Sequence, residues 1–312
     1  MQKMIKKTLL LVFTFITIIF VFLGWTSHSN KPNIEATAAV LMDVETGEVL
    51  FEKNKDIPYP VASMSKMMTE YIILEEIHYG RLSWEDKVTI SKTAAQTGGV
   101  SIPIESGDQL SLRDLFMAMA VSSANNATVS LAEHLSGSEV EFVKLMNKKG
   151  KQMGLSDYSL FVNATGLTEE FNGSYNSMSP MDAARLASQL VNDYPEILEF
   201  SSTSFEQLDF NDIPVHTTNL MLSPAYPFFH VEGLDGLKTG FTNEANYCFA
   251  GTAEKDGKRF ISVVMGSPTT DERFVETKKL FTFAFQDSSS LKVIAQKIFY
   301  RTKSIFRQRD VI

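Results

Sequence analysis

Val61-Ala62-Ser63-Met64-Ser65-Lys66-Met67-Met68-Thr69 sets a serine and a lysine three residues apart at the head of an apolar run. On a helix, residues i and i+3 share a face, with Cβ atoms roughly 5–6 Å apart. The spacing therefore puts the Lys66 amine beside the Ser63 hydroxyl. A serine hydroxyl is a weak nucleophile until a neighbouring base removes its proton. A lysine can be that base when burial or nearby positive charge lowers its pKa toward neutrality. Lys238, in Lys238-Thr239-Gly240, could supply such a charge. Ser-x-x-Lys alone is a short pattern, and Ser289-Ser290-Leu291-Lys292 repeats it near the end of the chain. Either copy also fits an N-capping serine followed by a solvated lysine. The first copy differs in its company: Ser123-Ala124-Asn125 follows it, then Lys238-Thr239-Gly240, in the order and rough spacing one acyl-transfer site requires.

Together the three elements fit the Ser-x-x-Lys, Ser-x-Asn and Lys-Thr-Gly set of penicillin-binding proteins and class A β-lactamases. The chain resembles the serine-type D-alanyl-D-alanine carboxypeptidases, the low-molecular-mass penicillin-binding proteins (peptidase S11-like). Further stretches carry the likeness: Ala39-Val40-Leu41-Met42-Asp43 with Thr46-Gly47, Phe161-Val162-Asn163-Ala164-Thr165-Gly166-Leu167, Asp235-Gly236-Leu237 and Arg273-Phe274. It covers roughly residues 36 to 286. The resemblance implies an α/β (α+β) fold of the β-lactamase/transpeptidase type. That means a five-stranded antiparallel sheet flanked by helices, a helical subdomain, and a site in the cleft between them. Many members continue into a C-terminal β-rich domain; none is expected here, where 26 residues follow Gln286.

The resemblance also implies a reaction. Ser63 would attack the carbonyl between two D-alanines of a peptidoglycan stem peptide, and water would release the acyl-enzyme. β-Lactams would be covalent inhibitors, and no cofactor or metal would be needed. Lys66 would act as base and Ser123 as proton relay, while Asn125 would bond the substrate or the Lys66 side chain. Lys238 and Thr239 would hold the terminal carboxylate, and Gly240 would let a substrate strand lie close to the backbone. The oxyanion hole would use the backbone N–H groups of Ser63 and Phe241. Arg273 matches an arginine near the family's carboxylate-binding region; a surface ion pair with Asp271 or Glu272 is the alternative. Two departures are Ala124, where many relatives carry glycine or aspartate, and Phe241, a place often held by histidine.

At 312 residues, 44% hydrophobic and 21% charged, the chain can bury a substantial core. Its lone cysteine, Cys248, excludes an intramolecular disulfide framework and sits in a buried-strand pattern, as a packing thiol would. The formal charge of −8 is uneven. Residues 1–7 hold three lysines and residues 291–312 hold six basic residues and one acid, leaving 20 basic against 36 acidic residues between them. An acidic body argues against nucleic acid as a partner. The five histidines (28, 78, 134, 216 and 230) are scattered without a His-Glu-x-x-His pairing, which disfavours a zinc peptidase.

Lys3, Lys6 and Lys7 precede an uncharged apolar run from Thr8 to Trp25. Residues 1–29 read as either a signal peptide or an uncleaved membrane anchor, so the body is expected outside, on the extracytoplasmic face of a bacterial cytoplasmic membrane. Residues 30–286 are expected to form the catalytic domain. In it, strands at 38–43 and 49–52 and at 234–242, 247–254 and 259–266 bracket a helical middle. Two helices are expected after Asn125, with capping boxes at Ser138 and Ser179. In the tail, 287–312, Leu291, Ile294, Ile298, Thr302 and Ile305 fall on one helical face among lysines and arginines, a pattern suited to an anionic membrane surface. Two competing functions remain. A class A β-lactamase would want Glu-x-x-x-Asn, whose spacing Glu169-Glu170-Phe171-Asn172 misses. A non-catalytic penicillin- or wall-binding module would keep the cleft without the chemistry.

Overall fold

The computed structural model describes residues 31–168 and 172–286. The leader at 1–29, the tail at 287–312 with its Ser289 motif, and Glu169–Phe171 lie outside the described residues. One compact unit spans Ile34–Phe285.

Alternating apolar residues make strands, and here both sides of the alternation are covered. The central sheet comprises β1 (Ala38–Asp43), β2 (Val49–Lys53), β3 (Leu234–Thr242), β4 (Asn246–Lys255) and β5 (Lys258–Ser267), in spatial order β2-β1-β5-β4-β3. All its pairings are antiparallel, as expected. Along β1, Ala38, Val40 and Met42 face one core while Ala39 and Leu41 face another. Period-2 geometry sends successive side chains to opposite faces, so such a strand must be buried twice. Two turns fix the hairpins. The Asp43 carboxylate accepts the N–H groups of Glu45 and Thr46 at 3.0 and 2.9 Å. Asp256 and Gly257 carry φ of 55° and 71°, the left-handed pair that a two-residue turn between twisted strands requires.

The longer helices are α1 (Lys66–His78), α2 (Leu112–Ser122), α3 (Asn125–Ser136), α4 (Glu139–Gln152), α5 (Pro180–Asp193) and α6 (270–286). Ser111, Ser138 and Ser179 each accept the N–H three residues on, at 3.0, 3.2 and 3.1 Å, satisfying donors that a helix start leaves free. Helix α6 covers the second sheet face with Phe274, Leu280, Phe281 and Ala284. Helices α1 and α5 belong to the other core, and the first nine residues of α1 are all buried. A helix buried all round runs through the body rather than over it. After Asn125 the structure has α3 in addition to the two expected helices; its Asn-Asn-Ala-Thr start carries little apolar periodicity. Helix α1 and strand β3 thus bring residues from distant parts of the chain to one place.

Candidate active site

Ser63 sits in a 3₁₀ turn, Ala62–Ser65, at the head of α1. The turn is tight: Ala62 has φ 46°, the Met64 N–H donates to the Val61 carbonyl at 3.1 Å, and the Ser65 hydroxyl donates to the Ala62 carbonyl at 2.8 Å. A left-handed alanine is held in place only by what surrounds it. Two glycines surround it. A Cβ on Gly166, at φ +86°, would meet the Ala62 oxygen at 2.0 Å. A Cβ on Gly240 would lie 2.7 Å from the Val61 oxygen and 3.2 Å from the Met64 nitrogen. The close approach at Gly240 is therefore made by the Ser63 turn itself.

Lys66 is fully buried, and its Nζ reaches three oxygens: Ser63 Oγ at 3.0 Å, Asn125 Oδ1 at 2.7 Å and the Thr165 carbonyl at 2.7 Å. An ammonium has three donors and this cradle uses all three. Burial drives the Lys66 pKa well below its ordinary value, and the charge of Lys238 lowers it further. Without its third proton the amine keeps two donors and turns a lone pair toward Ser63, the arrangement a general base needs. Asn125 is fixed from behind: its Nδ2 donates to the Gly98 carbonyl at 2.9 Å and its backbone N–H to the Val100 carbonyl at 2.7 Å. Its oxygen is thereby committed to Lys66.

The Asn163–Gly166 stretch builds the other wall. The Asn163 oxygen accepts the Gly166 N–H at 2.7 Å and the Thr165 hydroxyl at 3.2 Å, which presents the Thr165 carbonyl to Lys66. The sequence marks this stretch but reveals no contact for it in the site. A backbone acceptor has no side-chain signal, and only the positive φ that Gly166 supports hints at the turn. Ser123, 5% exposed, ends α2 in a left-handed conformation with φ 65°. Among the described residues its hydroxyl makes no hydrogen bond.

Strand β3 is a sheet edge, so alternate backbone groups turn away from β4, and it packs on the Ser63 turn. Lys238 is 1% exposed and burial lowers its pKa. The Thr239 hydroxyl shares a hydrogen bond of 2.6 Å with the Thr218 hydroxyl, while the Thr218 N–H donates to Val121 at the end of α2. Thr218 was not foreseen; it lies in a segment without periodicity. Phe241 is half exposed, its ring stacked on Tyr247 at 4.4 Å. Arg273 is 7% exposed, which overturns the surface ion-pair alternative: Glu272 turns to Thr269 instead. The Arg273 Nη1 donates to the Gly240 carbonyl at 3.3 Å, with the guanidinium against Tyr247 and Phe274. Burial pulls its pKa down to about 10. The structure thus joins Ser63, Lys66 and Asn125 directly, and ties Arg273 to the strand that bears Lys238, Thr239 and Gly240.

Comparison with known proteins places this arrangement. D-alanyl-D-alanine carboxypeptidase DacF of Bacillus subtilis is 41% identical over 255 residues, 80% of this chain and 62% of its own length. DacC of Escherichia coli is 32% identical over 263 residues, 82% and 63% respectively. The chain spans a little under two thirds of these curated relatives. Penicillin-binding protein D2 from Listeria monocytogenes, crystallised in its ampicillin-bound form, superposes with a TM-score of 0.73 at 38% identity, over 81% of this chain and 100% of that one. The sequence profile of the D-alanyl-D-alanine carboxypeptidases, peptidase family S11, matches residues 26–269. By this match, which takes in the nucleophile turn, the Asn125 helix and the Lys-Thr-Gly strand alike, the chain belongs to the D-alanyl-D-alanine carboxypeptidase family.

Proposed function

We propose that the protein is a serine D-alanyl-D-alanine carboxypeptidase that removes the terminal D-alanine of peptidoglycan stem peptides. The observation that carries this reading is the buried Lys66 amine, 3.0 Å from Ser63 Oγ and held by Asn125 and Thr165. Lys66 takes the Ser63 proton as Oγ bonds to the penultimate D-Ala carbonyl. The N–H groups of Ser63 and Phe241 hold the oxyanion, and losing one such donor costs about 10²–10³ in rate. The C–N bond then breaks, and the departing D-alanine amine takes a proton relayed through Ser123. Water attacks the ester, returns a proton through Lys66 and frees Ser63. Lys238 and Thr239 bind the substrate carboxylate, while Arg273 holds the Gly240 carbonyl and lends charge from behind. β-Lactams acylate the same hydroxyl. Residues 1–29 place this domain outside the cytoplasmic membrane, and the basic tail supplies a second membrane contact.

The test is D-alanine release from a peptide ending in Lys-D-Ala-D-Ala by the full chain, with Ser63→Ala and Ser289→Ala alongside. Release by the parent and by Ser289→Ala, lost in Ser63→Ala, is expected. A folded parent that releases no D-alanine while hydrolysing β-lactams in repeated turnover overturns the assignment in favour of a β-lactamase; one that does neither favours a binding module.

A further inference from the structure

The turn after β3 carries a carboxylate that no step above uses. Glu244 is exposed and lies just past the end of the strand, yet it is held in place. The Thr168 hydroxyl donates to its Oε2 at 2.6 Å, and the Thr242 hydroxyl and its own backbone N–H add to the hold. The Thr168 bond foremost keeps its pKa below the ordinary value, so the group is an anion at neutral pH. Among the described residues no lysine, arginine or histidine pairs with it. A charge fixed by neutral donors and left without a cation is open to one from outside. Its place follows from the two segments that meet there. Thr168 comes two residues after Gly166, in the stretch that packs on Ala62 and hands the Thr165 carbonyl to Lys66. Glu244 follows the strand that crowds the Ser63 turn: Lys238, Gly240 and Thr242 alternate onto one face, and Gly240 closes on Val61 and Met64. The bond between Thr168 and Glu244 therefore joins the two walls that flank Ser63, beyond the Phe241 end of β3.

A substrate added to this sheet edge runs antiparallel to β3. With its carboxylate at Lys238 and Thr239 and its scissile carbonyl at Phe241, the residues before the scissile bond run on toward Thr242 and Glu244. A strand rise of about 3.3 Å per residue puts the residue that precedes the two D-alanines one step past Phe241, level with the turn. A side chain there that ends in an ammonium on a four-carbon stem reaches the Glu244 carboxylate. Resting on the carboxypeptidase reading above, we propose that Glu244 is a specificity-determining residue: its carboxylate, steered by Thr168, selects stem peptides whose residue before the two D-alanines carries a free ammonium. The pair is exposed, so the preference is that of a surface ion pair, a few-fold and screened by salt. It is made in the ground state and the transition state alike, and so it shows in KM rather than in kcat.

The experiment compares the full-length parent with Glu244→Gln and Glu244→Lys. It measures kcat and KM for D-alanine release from two Nα-acetylated peptides, Lys-D-Ala-D-Ala and its Nε-acetyl-lysine counterpart, at low salt and at about 0.5 M salt, where exposed charges are screened. Acylation by a fluorescent penicillin, which lacks the ammonium, is read alongside. The parent is expected to favour the free lysine peptide about 3–5-fold in KM at low salt, and high salt to shrink that ratio toward one. Glu244→Gln still offers Thr168 an acceptor oxygen but no charge, and is expected to abolish the preference; Glu244→Lys is expected to reverse it. A parent with equal KM for the two peptides overturns the proposal, and so does a glutamine variant that keeps the parent's ratio. Equal losses by the glutamine variant on both peptides and on penicillin acylation assign Glu244 to holding the cleft together, and overturn it too. A parent that acylates with penicillin yet releases D-alanine from neither peptide overturns the carboxypeptidase reading itself, and this proposal with it; release from both peptides without discrimination overturns this proposal alone.

Discussion

Replacing Gly240 by alanine tests whether strand β3 must touch the turn that carries Ser63. The new Cβ would lie 2.7 Å from the Val61 oxygen, 3.2 Å from the Met64 nitrogen and 3.3 Å from the Ala62 Cβ. Ordinary carbon–oxygen contact begins near 3.3–3.6 Å, so strand and turn must part by roughly 0.6–0.9 Å. The two closest atoms are backbone, which cannot swing aside. Overpacking of this kind costs about 1–3 kcal/mol, and a misplacement near 1 Å at a reacting centre costs about 10² in rate. Ser63 and Lys66 move together at the head of α1, so their mutual geometry survives. What is lost is the register between Ser63 and the Phe241 N–H. Gly240→Ala should therefore acylate about 10–10²-fold more slowly with a fluorescent penicillin and melt several degrees lower, while the acid limb of its pH profile stays put. Acylation within twofold of the parent, at an unchanged melting temperature, would refute the reasoning. A raised KM without loss of stability would instead favour a substrate-approach role for Gly240.

Thr218→Val deletes the 2.6 Å bond to Thr239 and frees that hydroxyl to rotate. KM for D-alanine release should rise about 3–10-fold with kcat little changed, the loss of roughly one ordinary hydrogen bond; a fall in kcat alone would contradict it. Tyr71 donates to Asp193 at 2.8 Å, and burial foremost, then this bond, raises its pKa. The folded protein therefore keeps the phenol neutral where the unfolded chain ionises, so this contribution is complete below about pH 10 and lost as the pH climbs further. Tyr71→Phe should cost about 0.5–1.5 kcal/mol at neutral pH, and its deficit should shrink above pH 10 in denaturant melts; a constant deficit across that range would contradict the assignment.

The chemistry-bearing side chains were legible because each reports itself in the sequence by type and spacing. The Ser63–Lys66 pair is the clearest: a three-residue spacing became a 3.0 Å contact, and burial supplied the pKa shift that the reading required. The sheet was legible too, since β1, β4 and β5 are short apolar runs and the β1–β2 and β4–β5 turns carry Thr-Gly and Asp-Gly signals. Contacts made by backbone or by partners distant in the chain were not. Thr165 acts through a carbonyl, which any residue has. Thr218 matters only because the fold puts its hydroxyl against Thr239. Gly240 packs against the Val61 carbonyl, which comes from 179 positions earlier in the chain.

The place of β1 in the sheet has a temporal consequence. Ala38 pairs with Met265 and Asp43 with Phe260, so the first strand lies between its hairpin partner and a strand from the far end of the domain. Contacts this remote in sequence close late, after the local helices and hairpins have formed. A chain emerging N-terminus first, from a ribosome or across a membrane, carries its nucleophile out early yet has no β3 to set against it. Until residue 267 is free, the sheet lacks β5, the strand that joins the β1–β2 hairpin to β4 and β3, so the edge strand has no complete sheet to hold it against the Ser63 turn. The proposed site is thus complete only once the last strand of the sheet has been added.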